Sequence, residues 1–426
     1  MNGEFTLNPM VRSDPAYVFH YPRKFLWSDQ IPPTRKWTDF DVYLHVPFCR
    51  AICTYCTFER RTYSKKAMEL YENSLTKEIE KRFVTDDFSK GTLRAVYLGG
   101  GTASLLKTSS VASILDSILS KVTLNPNIEC TLECEPATKK TDDFIRLSAH
   151  GVNRVSVGVQ TLDNKLLKRL NRKHTARHAL DMIDGGLAAG MMTVHADLMF
   201  GLPGQTLKQW QSDVECIAAS GVHHISAYQL IVFEKELLSR RLAQGSEPDL
   251  PGDAEVREMR HCVNEVLQRK GFIRYSLTEY CLPGHECNYV KGNWAGDDYL
   301  GFGPAAYSRS GDWLWENEVT VSGYCRILDG GKLPVNAIRM VPFTRALRDL
   351  SMGLCFFNVD LKRVYGGLTV DERAVIDSIL KALSESEYVS VTKDGVLLTE
   401  VGKLYATYVM NEIIRMGESV CAPQLN

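Results

Sequence analysis

Between residues 42 and 230 the chain alternates short apolar runs with longer segments in which apolar residues recur every three to four positions. The short runs fall at 42–46, 93–98, 128–133, 154–159, 193–199 and 223–229. The segments between them include MELYENSLTKEIEKRF, VASILDSILSKV, TDDFIRLSAHG, ARHALDMIDGGLAAG and LKQWQSDVECIAASG. Nearly continuous apolar runs suit strands buried on both faces, and the three-to-four spacing suits amphipathic helices. Six strands alternating with helices predict parallel βαβ units with right-handed crossovers, and hence an α/β fold built as a partial (β/α)6 barrel. In such barrels functional residues gather at the C-terminal strand ends.

The flanks read differently. Residues 1–40 carry several prolines and aromatics, among them Tyr17, Phe19, Tyr21, Phe25, Trp27 and Trp37, without sustained periodicity, and predict an extended arm packed on the next unit. Residues 41–230 form the core, and 231–342 an extension of it, with the amphipathic helix AEVREMRHCVNEVLQRKG followed by a stretch rich in aromatics and glycine. Over 343–426, TVDERAVIDSILKALSES predicts a helix, YVSVTKDGVLLTE a hairpin turning at Asp394-Gly395, and VGKLYATYVMNEIIRM a further helix. Helix plus hairpin predicts a winged-helix-like α+β unit.

Composition narrows the function classes. The chain has 426 residues, 44% hydrophobic and 24% charged, with a formal net charge of -1. That balance offers no basic surface for nucleic acid, despite the winged-helix pattern. No apolar run approaches the ~18 residues of a membrane span, and MNGEFTLNPMVRSD lacks the apolar core of a secretory signal. The 12 cysteines therefore predict reduced thiols in a cytoplasmic protein rather than disulfides.

The candidate chemistry starts at YLHVPFCRAICTYCTF, where a strand runs into Cys49, Cys53 and Cys56 with C-x-x-x-C-x-x-C spacing. Thiolates are soft ligands for zinc or iron-sulfur clusters. Structural zinc normally takes four protein ligands, and no second pair lies at a zinc-finger spacing. Three buried apolar cysteines are the plain alternative, but three in eight residues after a strand favour a three-thiolate site with one position open. LGGGTAS follows the second strand; alone, its glycines fit a phosphate loop or a tight turn, and the absence of G-K-[ST] excludes a Walker A loop. Glu133, Gln160 and Asp197 end the third, fourth and fifth strands. Singly, each reads as a cap or surface residue, but together they predict ligand contact. Arg172, in LNRKHT, is either a partner for a carboxylate or part of a solvated helix. Cys281, His285 and Cys287 fit no compact metal site and read as structural.

The cysteine block, with Tyr43, His45, Pro47, Phe48, Tyr55 and Phe58 around it, resembles the HemN-like branch of the radical S-adenosylmethionine (SAM) proteins, and the resemblance runs from about residue 40 to about 415. It implies a radical SAM barrel with a C-terminal HemN-type domain, a 4Fe-4S cluster on Cys49, Cys53 and Cys56, and SAM chelating the open iron. Tyr55 and Phe58, flanking the cysteines, count among the cofactor contacts. The family's two-SAM arrangement implies Tyr43, Gly100 and Glu133 at a first molecule, and Gly101, Thr102, Gln160, Arg172 and Asp197 at a second. GFGPAAYS resembles the family's segment near adenine, implying Ala306 and Tyr307 there. The expected function is radical methyl or methylene transfer, as in the class C methyltransferases and cyclopropanases, to a small-molecule substrate such as a tetrapyrrole or natural product, with a flavodoxin or ferredoxin as electron donor. Two departures discriminate within the family. Phe58 stands where coproporphyrinogen III oxidases have a fourth cysteine. CNYVKGNW stands where HemW haem chaperones carry H-N-x-x-Y-W and lacks the histidine, which makes haem binding the alternative expectation.

Overall fold

The computed structural model describes residues 34–333 and 335–421, together with 21, 22, 27 and 32. Six parallel strands pair in chain order: β1 (Asp39–Val46), then, after the two-residue strands β2 (Phe48–Cys49) and β3 (Arg61–Thr62), β4 (Thr92–Gly100), β5 (Thr123–Cys134), β6 (Arg154–Gln160), β7 (Thr193–Phe200) and β8 (His224–Gln229). β1 and β8 do not pair with each other, so the barrel is open. Its edges carry the continuation of the same sheet. Beyond β8 come β9 (Ile273–Arg274) and β10 (Glu279–Cys281), with β10 antiparallel to β8. Beyond β1 come β11 (Tyr299–Phe302), parallel to it, and the antiparallel β12 (Tyr307–Ser310), β13 (Trp313–Asn317) and β14 (Val335–Arg339).

The helices between the parallel strands cover the outer face. Some helices carry their own start signals: Leu207–Ala219, between β7 and β8, and Val370–Glu385, in the C-terminal unit, open with capping boxes, Thr206 with Gln209 and Thr369 with Glu372, each satisfying amides that the first turn leaves unpaired. Phe40, Val42, Leu44, Val96, Leu98, Leu132, Val155, Val157, Val194 and Ala196 are almost wholly buried in one continuous core, which explains the unbroken apolar reading of the strands.

A second core, from Phe343 to Met416, gathers helices Pro342–Gly353, Val370–Glu385 and Ala406–Cys421 around a sheet of β15 (Asn358–Asp360), β16 (Val389–Val391) and β17 (Gly395–Leu398). Arg309 on β12 and Asp349 on helix Pro342–Gly353 form a buried bidentate pair, 2.8 and 3.1 Å, that fixes this unit to the edge of the large sheet.

Three details differ from the sequence reading. The third strand begins five residues early, at Thr123, because Thr123 and Leu124 pair with β4 before a register shift; the intervening exposed polar residues gave no strand signal. The hairpin turns at Lys393-Asp394, closed by the Thr392 amide on the Gly395 carbonyl at 2.8 Å, one residue ahead of the expected Asp394-Gly395. The last helix breaks into Glu400–Leu404 and Ala406–Cys421, and the first piece passes under the Tyr388 carbonyl, where a side chain at Gly402 would collide. Of the expected N-terminal arm, Tyr17, Phe19 and Phe25 lie outside the described residues, while Trp37 is buried against Phe40 and Phe88.

Candidate active site

The cysteine loop leaves the C-terminal end of β1 and is tied down on every side. β2 and β3 form a short parallel ladder, Phe48 with Arg61 and Cys49 with Thr62. Arg50 reaches Glu135 at 3.1 Å and the Pro136 carbonyl at 2.8 Å. Arg60 meets Glu236 at 2.6 Å, the Thr54 amide donates to the Leu170 carbonyl and the Leu238 amide to the Thr54 carbonyl. Tyr55 packs into the small apolar cluster of Leu166, Leu170, Met199 and Leu202. His45 anchors the far end of the loop: its Nε2 lies 2.9 Å from the Glu59 carbonyl, which can only accept, so Nε2 carries the proton and Nδ1 accepts from the Tyr43 hydroxyl at 3.0 Å. Burial lowers the pKa of this imidazole and keeps it neutral.

The three thiols converge in this frame and remain partly accessible. Burial raises Cys49 and pushes Cys56 up to about 11, more than the nearby Arg172 and Arg60 lower them. Among the described residues, only His195, His224 and Glu279 bring three metal-ligating atoms within 4.8 Å of one another. The cysteines offer three thiolates, one short of the four protein ligands of structural zinc. Backbone space was cleared for them: a Cβ on Gly101 would lie 2.9 Å from the Cys49 sulfur and 2.8 Å from the Phe48 carbonyl oxygen. Donor chemistry and cradle both fit a 4Fe-4S cluster held by Cys49, Cys53 and Cys56.

The other expected contacts line the mouth beside the cysteines. Glu133, ending β5, accepts from the Tyr97 hydroxyl at 2.7 Å and from the Gly100 amide at 3.2 Å. Burial raises its carboxyl to about 7, more than these hydrogen bonds lower it. Gly100 has φ +110°, and a side chain there would strike the His45 ring. Thr102 is buried and hydrogen-bonds the Cys49 sulfur. Gln160 ends β6 with φ +66°, its carboxamide beside Gly158. Asp197 accepts from Ser156 at 3.0 Å and pairs with His195 at 3.1 Å. Burial pushes this carboxyl up, but His195, Ser156 and Ser226 outweigh that and leave it below the ordinary value.

Arg172 sits closer to the cluster loop than the sequence suggested. Its guanidinium donates to the Gly158 carbonyl at 2.9 Å and lies 3.5 Å from the Cys53 sulfur. Burial works against its charge, yet the Cys53 sulfur more than offsets that, and it stays a cation. The GFGPAAYS loop is held over β1 by Glu78, which accepts from the Gly303 amide at 2.9 Å and the Tyr324 hydroxyl at 2.6 Å. Gly303 packs on the His45 carbonyl, where a Cβ would not fit. Ala306 is fully buried behind this turn, and Tyr307 opens β12 with its ring 5.8 Å from Trp27. Phe58 is 65% exposed and points away from the core.

Sequence reasoning missed the layer beneath. Tyr43, Tyr97 and Tyr289 stack on one another, with ring centres 4.8–6.3 Å apart. His195, His224, Ser226 and Glu279 lie under Asp197. The available signal was alternation: His195 with Asp197, and His224 with Ser226 and Tyr228, put polar groups on one face of strands otherwise apolar.

The comparisons agree with this geometry. The family model for the Radical SAM superfamily matches residues 43–217. The heme chaperone HemW of Mycobacterium tuberculosis is 33% identical over 299 residues, spanning 70% of this chain and 76% of that protein. The chain belongs to the HemN-like family of radical SAM proteins. HemW of Bacillus subtilis is 26% identical over 87% of this chain and 98% of its own length. The coproporphyrinogen III oxidase HemN of Escherichia coli superposes with a TM-score of 0.78 at 21% identity, over 95% of this chain and 99% of that one, and so shares the fold. HemN-like membership implies a 4Fe-4S cluster and SAM at this site. Among the described residues no helix is long and apolar enough to cross a membrane.

Proposed function

We propose that this HemN-like protein binds haem in the manner implied by the name of its HemW relatives, using a SAM-bound 4Fe-4S cluster as its redox centre. The observation that carries the reading is the 33% identity over 76% of a heme chaperone. Exposed apolar side chains on the cysteine loop, Ile52 and Phe58, and at and just after the end of β8, Tyr228 and Ile231, suit such a ligand. An exposed apolar patch with polar surroundings marks a surface for an apolar ligand or partner.

A 4Fe-4S cluster held by Cys49, Cys53 and Cys56, reduced by a donor of the flavodoxin or ferredoxin class, would supply the electron for reductive cleavage of SAM. The protein's own residues would do the rest. Glu133 and the glycine turn would hold the methionyl group of SAM, and Arg172 keeps a positive charge against the Cys53 side. His45 and Tyr43 keep the loop in register with β1.

A second reading, radical methyl or methylene transfer using a second SAM at Gly101, Thr102, Gln160, Arg172 and Asp197, is favoured by one observation. Cys287, at the position of the relatives' histidine, is buried and bonded to Glu129 at 3.3 Å, so it offers no exposed haem ligand. Titrating reconstituted protein with haem while separately quantifying S-adenosylhomocysteine from methyl-labelled SAM distinguishes the two. Stoichiometric haem binding with a shifted Soret band, and no S-adenosylhomocysteine, supports the first. Labelled transfer product without saturable haem binding overturns it in favour of the second.

A further inference from the structure

Beneath Asp197 the barrel lumen holds an unusual concentration of metal-ligating groups from three adjacent strands. His195 on β7 is in register with His224 on β8, and Ser226 on β8 is in register with Asp197 on one side and Glu279 of β10 on the other. All of His195, His224, Ser226 and Glu279 are buried. His195 Nε2 lies 2.6 Å from the Ser226 hydroxyl and 3.1 Å from Asp197, and His224 Nε2 lies 3.6 Å from a Glu279 carboxylate oxygen that also meets Ser226. The two imidazole rings stand 4.0 Å apart, centre to centre.

Hydrogen bonding satisfies only part of this cluster: His224 Nε2 lies 2.9 Å from the Tyr275 hydroxyl, and Glu279 accepts from Ser226, from Thr278 at 2.9 Å and from Tyr228 at 3.3 Å. Among the described residues, the buried Nδ1 atoms of His195 and His224 find no hydrogen-bond partner, and leaving such groups unsatisfied is unfavourable. Two carboxyl groups face one another across Ser226, each with a histidine beside it, His195 3.1 Å from Asp197 and His224 3.6 Å from Glu279, and no described Lys or Arg is ion-paired to either; a bound cation would offset the cost of burying both.

We infer that His195, His224 and Glu279 form a binding site for a divalent first-row transition-metal ion, with Asp197 or Ser226 beside the open coordination position. Two imidazoles and one carboxylate are the donor set of catalytic zinc sites and of non-haem iron sites. The three ligand atoms lie within 4.8 Å of one another, close enough for a single ion at ordinary bond lengths of about 2.0–2.2 Å. This site is distinct from the cysteine loop in ligand type, since it contains no sulfur, and its occupancy does not depend on haem or on a second SAM.

The test uses zinc on the full chain. Protein with its cluster reconstituted, and a Cys49→Ser/Cys53→Ser/Cys56→Ser variant lacking it, are freed of loosely bound metal and titrated anaerobically with Zn2+. Metal per chain is then counted after gel filtration. One zinc per chain in both proteins, with binding at least about tenfold weaker in His195→Gln and in Glu279→Gln, is the expected result. Zinc binding that disappears with the cysteines, or that is unchanged in both lumen variants, overturns the assignment. Should the lumen variants fail to fold, Co2+ added to the unaltered reconstituted protein decides between the outcomes. Weak visible d–d bands at one equivalent, without a sulfur-to-metal charge-transfer band, support the site, and a charge-transfer band or no bound cobalt refutes it.

Discussion

Replacing Gly101 by alanine tests the cradle behind the cysteines. The new Cβ would stand 2.9 Å from the Cys49 sulfur, 2.8 Å from the Phe48 carbonyl oxygen and 3.0 Å from the Phe48 nitrogen. Ordinary carbon contacts begin near ~3.5 Å, so each is short by roughly half an ångström or more. Neither neighbour retreats easily. Phe48 is a backbone segment paired with Arg61, and the Gly101 amide is itself bonded to the Val46 carbonyl at 2.8 Å. Overpacking of this kind costs about 1–3 kcal/mol. If the strain is relieved by displacing Cys49, the cluster should be held about 5- to 150-fold less tightly, at about 1.4 kcal/mol per factor of ten. The assay is chelator competition: reconstituted protein is challenged with a ferrous chelator, and iron and sulfide retained per chain are followed against time. Gly252→Ala is the control, because its Cβ would meet only the mobile end of Glu255 at 3.8 Å. Wild-type retention in Gly101→Ala would falsify the argument that this glycine makes room for the cluster ligand.

Other consequences are as direct. Because burial holds the Glu133 carboxyl at about 7 in the ligand-free protein, and SAM's ammonium group requires the carboxylate, SAM affinity should rise as pH increases through about 7; the rise should flatten in Glu133→Gln, as equilibrium dialysis would show. The same raised carboxyl stabilises the ligand-free fold at low pH, an advantage lost as pH climbs from 4.5 through about 7. Arg172→Gln removes a cation 3.5 Å from the Cys53 sulfur, so the cluster's reduction potential should become more negative in an EPR-monitored titration; an unchanged or more positive value counts against the placement. Asp349→Asn leaves Arg309 buried and uncompensated and should cost about 3–5 kcal/mol, read as a lowered denaturant midpoint.

How much of this was readable beforehand depended on whether the determinant was local. The six parallel strands, their helices and the cysteine spacing are local patterns, and they appear within about three residues of their predicted ends except where β5 starts five residues early on a partner's register. Cys49, Cys53, Cys56, Gly101, Thr102 and Glu133 are brought together because they sit on or just after neighbouring strand ends, which the βαβ order already implied; Arg172 joins them from the loop after the helix Asn164–Arg169. Long-range placements were not legible. Glu78, on the helix Lys65–Thr85, supports Gly303 across more than 200 residues of chain. Glu279 reaches His224 only because β10 adds antiparallel to β8, and no short-range period announces that pairing. Cys287 looked like part of a loose cysteine and histidine scatter, yet it packs in the lumen against Glu129.

The central claim, that three thiolates hold a cluster whose fourth iron is completed by SAM, is tested most directly by EPR of the reduced, reconstituted protein with and without SAM. The account predicts a reduced-cluster signal whose g-values and line shape change on adding SAM, and no such signal in Cys53→Ala. A spectrum indifferent to SAM, or a full cluster signal surviving in Cys53→Ala, would contradict it.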